Sequence, residues 1–119
     1  MSPAHGIPEI VVVSASPDWH DRERIRDDLR SLAAGSIVIE GGQRGGERIA
    51  REEAQALGLH VATVLPLWDF HGKPAAYRRN EELPRLRPDL LLAYPRGGSP
   101  GTRHMVRIAE AECIQVREP

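Results

Sequence analysis

Five short apolar runs, each followed by a stretch long enough for a helix or a turn, constrain this chain more than any other feature. They are Glu9 to Val13 (Glu-Ile-Val-Val-Val), Ser36 to Glu40 (Ser-Ile-Val-Ile-Glu), His60 to Leu65 (His-Val-Ala-Thr-Val-Leu), Leu90 to Tyr94 (Leu-Leu-Leu-Ala-Tyr) and Ile114 to Val116. A strand that is apolar at consecutive positions buries both faces, as strands do in a parallel sheet covered by helices on each side. The stretches between the runs supply those helices. Asp18 or Asp21 can cap a helix running to about Ala34, with Ile25, Leu29 and Leu32 on its inner stripe and Gly35 as its stop. Glu47 to Leu57 brings Ile49, Ala50, Ala54 and Leu57 to one side and ends at Gly58. Another helical stretch runs from Ala75 or Ala76 to near Glu82, before Pro84 and Pro88, and Thr102 caps a last one through about Ala111. The expected fold is α/β: a Rossmann-like, doubly wound parallel sheet of about five strands in the order 3-2-1-4-5, with helices on both faces.

The chain has 119 residues, 40% of them hydrophobic, which is enough for one core and too little for two. A single domain over residues 1–119 is expected, with Met1 to Pro8 a loose lead-in. The net charge of -1 provides no field to draw nucleic acid or an anionic membrane to the whole surface. No apolar run approaches the length of a membrane span, and Met1-Ser2-Pro3-Ala4-His5 opens no signal-peptide core, so the expected location is the cytoplasm. A single cysteine, Cys113, fits that reducing compartment, and beside Ile114 it is expected in the core.

A doubly wound sheet leaves a crevice where its strand order reverses, here between the first and fourth strands. Three loops gather on that edge: Ser14 to Pro17, Gly41 to Gly46 and Gly97 to Gly101. In Gly41-Gly42-Gln43-Arg44-Gly45-Gly46-Glu47 a glycine turn leads into a helix, and its backbone N–H groups suit a phosphate, with Arg44 adding a forked guanidinium contact. The turn containing Gly97, Gly98 and Gly101, followed by Thr102, offers a second anion site. Together they suit a nucleotide's phosphate and sugar, or a sugar phosphate. Neither turn has the P-loop lysine, and Ser14-Ala15-Ser16 after the first strand lacks the dinucleotide glycines.

Trp68 to Asn80 is the second informative stretch. Trp68 and Phe70 are read first as packing residues and second as platforms for a base, while Arg78, Arg79 and Asn80 can reach phosphate or ribose oxygens. His5, His20, His60, His71 and His104 show no metal-ligand spacing with one another or with Cys113, so no metal is expected. Ser14 or Ser16 could be paired with His71 or His104, but no Gly-x-Ser-x-Gly elbow is present. Arg22, Arg24, Arg26 and Arg30 alternate with Asp21, Glu23, Asp27 and Asp28, which reads as a solvated helix face.

The order of these features resembles the YspA-type branch of the YpsA-related SLOG family. The residues that carry the resemblance are Gly42-Gln43-Arg44-Gly45-Gly46-Glu47, Trp68 with Gly72, Ala75-Ala76, Arg79-Asn80 and Gly97-Gly98-Ser99-Pro100-Gly101-Thr102, within a span from about Glu9 to Val116. The resemblance implies a Rossmann-like SLOG domain, of phage or actinobacterial type, that binds a nucleotide or nucleotide-derived ligand. The wider superfamily includes the LOG phosphoribohydrolases and the DNA-processing protein DprA. The chain departs from the family pattern in three places. It has Ala15-Ser16-Pro17 where a glycine-serine-arginine turn is usual, and Glu47 where aspartate is usual. It has His104 where the phosphoribohydrolases place a catalytic glutamate, which leaves Glu47, Asp69 and Glu81 as replacement carboxylates.

The functional expectation is a small binding module for a nucleotide or ADP-ribose-like ligand, more a binder than an enzyme and with no cofactor firmly implied. Ser14, Ser16, Gly41, Gly42, Arg44, Gly45, Gly46, Glu47, Trp68, Arg79, Asn80, Gly97, Gly98, Gly101 and Thr102 form its expected site. The alternatives are an N-glycosidase of the phosphoribohydrolase type acting on nucleoside monophosphates, and a DprA-like nucleic-acid-associated protein, which the net charge disfavours. A homodimer is expected from the resemblance and from the small surface that so short a chain buries alone.

Overall fold

A computed structural model describes residues 6–119. The first five residues of the expected lead-in, His5 among them, lie outside the described residues. Ten elements follow: β1 (Ile10–Ala15), α1 (Arg22–Arg30), β2 (Ile37–Glu40), α2 (Gly46–Ala56), β3 (His60–Thr63), α3 (Trp68–His71), α4 (Ala75–Glu82), β4 (Leu90–Tyr94), α5 (Pro100–Ala111) and β5 (Gln115–Arg117), with a 3₁₀ turn at Leu83–Leu86 after α4. All four strand pairings are parallel and the order is β3-β2-β1-β4-β5, as the sequence predicted.

The pleat sorts the apolar strand residues between two cores. Val11, Val13, Val38, Leu90, Leu92 and Tyr94 face α1 and α2, where they meet Ile25, Leu29, Ala50 and Ala54. Val12, Ile39, Leu91 and Ala93 face the opposite layer, with Leu83, Met105 and Ala109. Consecutive valine, isoleucine and leucine residues of β1, β2 and β4 are therefore used on both faces, with Ile37 at the start of β2 left exposed. At the edge, β3 is exposed at His60, Ala62 and Thr63. None of the described helices is long and apolar enough to cross a membrane.

Several local expectations are corrected. The first helix ends at Arg30 rather than Ala34, because the Ser31 hydroxyl donates to the Asp28 carbonyl at 2.6 Å and the Leu32 N–H closes a tighter turn onto Leu29. Its charged side chains are not all solvated: Arg22 and Arg26 reach across to the buried Glu53 of α2 at 2.7 and 2.6 Å, and these guanidinium bonds hold that carboxyl below its usual pKa. The expected third strand stops at Thr63, two residues short of Leu65. Thr102 does not cap α5. The helix starts at Pro100, whose ring presets φ for a first helical position, and Ser99 stands at the N-cap.

Cys113 is exposed rather than buried. It occupies the left-handed position (φ 58°) after α5, where its N–H bonds Glu110 and the Ile114 N–H bonds Ala109 in a Schellman closure. Trp68 and Phe70 do not pack into the core: they are 55% and 84% exposed. They sit on α3, a one-turn helix that packs against α4 and has no buried residue.

Candidate functional site

Parallel strands deliver every βα loop to one edge, and the three predicted loops meet there. A cleft of about 250 Å³ opens at the C-terminal end of β1, bounded by Ser14 to Pro17, Gln43, Glu47, Ala76, Arg79, Asn80 and the stretch Ser99 to Thr102. Beside it lies a second pocket of about 240 Å³, with Gly41, Gly42, Leu65, Pro66 and Trp68 on its wall. The two share Gln43, Ala76 and Arg79.

The first glycine turn is filled from inside. Glu47 is buried in the first turn of α2, and its Oε1 accepts from the N–H groups of Gly41 at 3.0 Å and Gln43 at 3.4 Å. Its Oε2 accepts from Ala15 at 3.3 Å, tying the turn to the end of β1. Glu40, also buried, accepts the Gly42 N–H at 2.7 Å and the Thr63 hydroxyl. The Gly46 N–H goes to the Ser16 carbonyl at 3.3 Å. Of the amides assigned to a phosphate, those of Gly42, Gln43 and Gly46 thus carry internal partners, and for Gly42 and Gln43 the partner is a carboxylate whose charge opposes an anion. Burial pushes the Glu47 pKa up, against the opposing pull of the Ala15 hydrogen bond and the Arg79 charge.

The glycines here answer to packing. A Cβ on Gly45 would lie 2.2 Å from the Pro17 carbonyl oxygen, and one on Gly46 would lie 2.4 Å from the Ala15 Cβ. A Cβ on Gly41 would meet the Arg79 guanidinium and Glu47 Oε1. At Gly97, Gly98 and Gly101 nothing lies within 4 Å. Gly101, on the cleft wall, therefore leaves room for a ligand against its backbone. The Ser99 hydroxyl is engaged with Arg96 across the turn, so no side chain caps the N–H groups that open α5.

Among the described residues, Arg79 is the one basic side chain on the cleft wall. Its Nη1 donates to the Val64 carbonyl at 2.8 Å and its Nε to Asn80 Oδ1 at 3.0 Å. Partial burial lowers its pKa, while Glu47 and then Glu40 pull the other way. Asn80 is buried, and its Nδ2 reaches the Gly101 carbonyl and His104 Nδ1, each at 3.3 Å. The Ser14 hydroxyl meets that of Thr102 at 3.4 Å between β1 and α5.

The structure thus brings together Ser14, Ser16, Glu47, Arg79, Asn80, Gly101 and Thr102 on one cleft, with Gly41, Gly42 and Trp68 on the adjoining pocket. Gly45 and Gly46 lie beneath, as packing residues. Arg44, Gly97 and Gly98 are exposed and stand off both walls. Asp69 is exposed on α3, and Glu81 lines a separate cavity of about 380 Å³ with Val64, Leu65, Leu67 and His71. Gln43, Ala76 and Ser99 stood within the motifs of the resemblance but outside the expected site, and Glu40 was missed altogether. Glu40 left a signal of its own, a carboxylate closing a strand that is otherwise apolar. Among the described residues no cluster of three or more His, Cys, Asp or Glu could hold a metal ion.

Residues 9–71 match the model of a family described as YAcAr: YspA, cpYpsA-related SLOG family. The Gene 61 protein of Mycobacterium phage D29 is 36% identical over 115 residues, covering 89% of this chain and 92% of the phage protein. No solved structure matches the chain.

Proposed function

Since the chain belongs to the YspA, cpYpsA-related SLOG family, we propose that it is a small binding domain whose cleft takes a nucleotide or nucleotide-derived, ADP-ribose-like ligand. The observation that carries this reading is Arg79. It is a partly buried guanidinium held by a carbonyl and an amide, facing the uncapped N-terminus of α5 across the switch point. An anion set between them would meet a fixed charge and free N–H groups. Carboxylates under the first glycine turn steer that anion toward Gly101 and Thr102. The adjoining pocket, with Trp68 on its wall and those carboxylates behind it, suits an uncharged ring instead.

The test is thermal stability with AMP, ADP-ribose, NAD, cyclic nucleotides and phosphoribosyl compounds, comparing wild type, Arg79→Ala and Arg44→Ala. A ligand at about a hundred times its dissociation constant adds about 2.7 kcal/mol of stability. That shift should vanish in Arg79→Ala and persist in Arg44→Ala, because Arg44 stands off the cleft wall. No shift with any compound, or an equal shift in Arg79→Ala, rejects the reading.

One observation favours hydrolysis as a second reading. Glu47 lines the cleft as a carboxyl whose pKa burial raises, a state suited to proton transfer beside a ribose. In that reaction water adds at the anomeric carbon as the N-glycosidic bond breaks, and the base leaves with a proton. Chromatography of nucleoside monophosphates incubated with the protein decides it. Free base that forms with wild type and not with Glu47→Gln supports hydrolysis, and unchanged nucleotide rejects it.

A further inference from the structure

The cleft's cation is held through one side-chain amide, and its neighbours fix which way that amide points. The Gly101 carbonyl can only accept and the Arg79 guanidinium can only donate. Asn80 therefore turns Nδ2 to Gly101, at 3.3 Å, and Oδ1 to Arg79 Nε, at 3.0 Å. The same Nδ2 lies 3.3 Å from His104 Nδ1. Facing a donor, Nδ1 must accept, so His104 is neutral and carries its proton on Nε2. The result is a string of hydrogen bonds from α5 through α4 to the carbonyl of Val64.

We propose that His104 is a positioning residue for the anion site, holding Arg79 through Asn80, and that its protonation loosens Arg79 and weakens ligand binding. The proposal rests on the nucleotide reading above and names the regulation of that same site. A proton on Nδ1 sets two donors against each other. Turning the Asn80 amide over would satisfy the imidazolium, but it would set Oδ1 against the Gly101 carbonyl and Nδ2 against the Arg79 N–H. Either arrangement breaks the string.

The groups around the ring are few. Tyr77 of α4 meets it edge-on at 4.7 Å between centroids, Arg107 follows it on α5, and Glu81 of α4 carries the opposing charge. Burial first and then Arg107 hold the imidazole below its usual pKa, against the pull of Glu81, so the neutral ring is the resting form at neutral pH.

The sign of the pH effect separates this role from a bland one. A histidine acting only as a nearby charge would draw an anion more strongly once protonated. A positioning histidine does the opposite. The probe is ADP-ribose, whose pyrophosphate keeps its charge across the histidine range, titrated calorimetrically from about pH 8 to about pH 5. Affinity should fall about tenfold toward acid, the scale of one charge-assisted hydrogen bond. His104→Asn, which offers Oδ1 near the position of Nδ1 and cannot titrate, should bind at neutral pH like wild type and lose the acid fall. Affinity that rises toward acid, or an acid fall retained in His104→Asn, overturns the proposal. Nitrogen NMR of the free protein decides it independently of any ligand. An unprotonated Nδ1, with Asn80 amide signals that follow the His104 titration, supports it, and a protonated Nδ1 or unresponsive Asn80 signals overturn it. Failure of ADP-ribose to bind at any pH would count against the nucleotide reading alone, and the NMR result would still stand for or against the coupling.

Discussion

Gly45→Ala should lower stability by roughly 3 kcal/mol, the sum of a left-handed backbone forced on a side chain and an overpacked contact. Gly45 has φ 81°, and its Cβ would lie 2.2 Å from the oxygen, 2.5 Å from the carbon and 2.7 Å from the Cα of Pro17. All three atoms are backbone, so no side chain can swing away. The loop after β1 would have to move off the start of α2, and the Glu47 bond to Ala15 crosses that same seam. Urea unfolding is the direct measure. Gly101→Ala is the control, because that glycine lies inside the first turn of α5 with nothing within 4 Å. It should be neutral or add up to about 1 kcal/mol, since alanine is the better helix former. Its methyl group also narrows the cleft, so nucleotide binding should fall while stability does not. Equal stability of Gly45→Ala and wild type would refute the packing account of the first turn.

These two glycines show where sequence reading succeeds and where it stops. Both turns are Gly-rich βα junctions in the sequence, and both read as anion sites. The distinction lies in what stands within 3 Å of each absent Cβ, which depends on how closely α2 is set against β1. The parallel sheet, by contrast, was legible because consecutive apolar positions in Val11 to Val13 and Leu90 to Leu92 suit strands buried on both faces. Gly58 was legible as a stop for the same kind of reason: at φ 77° it closes α2 in a position that favours glycine.

The candidate site was legible in its membership and less so in its wiring. Arg79 and Asn80 were marked by their pairing in the resemblance, and both lie on the cleft. Arg44 was marked by its place inside the glycine turn. A helical residue points where the helix sets it, whereas a turn residue can point outward, and Arg44 does. Trp68 and Phe70 were expected to pack because aromatic rings usually find a core. Here α3 is a one-turn helix set against α4, and none of its residues is buried. Glu47 read as a site residue and a replacement carboxylate, and its use as the plug of the turn could not be inferred without the bend of Gly41 to Gln43 around it.

Glu47→Ala should cost roughly 2–4 kcal/mol, because it strips the carboxylate from three N–H groups, one of them on the fully buried Ala15. Glu47→Gln should cost less, since its oxygen can keep Gly41 and Gln43 while its NH₂ faces the Ala15 donor. The pH dependence separates charge from hydrogen bonding. Burial raises the folded-state pKa of Glu47 above its ordinary value. The protonated form's contribution is therefore complete below the unfolded pKa and is lost as pH rises through the folded one. Wild type should lose stability relative to Glu47→Gln across that window, moving upward from the ordinary carboxylate range, and the difference should level off above it. Unfolding free energies of the two proteins, measured in parallel across that range, test this. A difference that does not change with pH would mean that the three N–H groups and Arg79 fully offset the burial of the charge. Glu47 would then be an ordinary ionised plug, and the proton-transfer role in the hydrolytic reading would lose its physical basis.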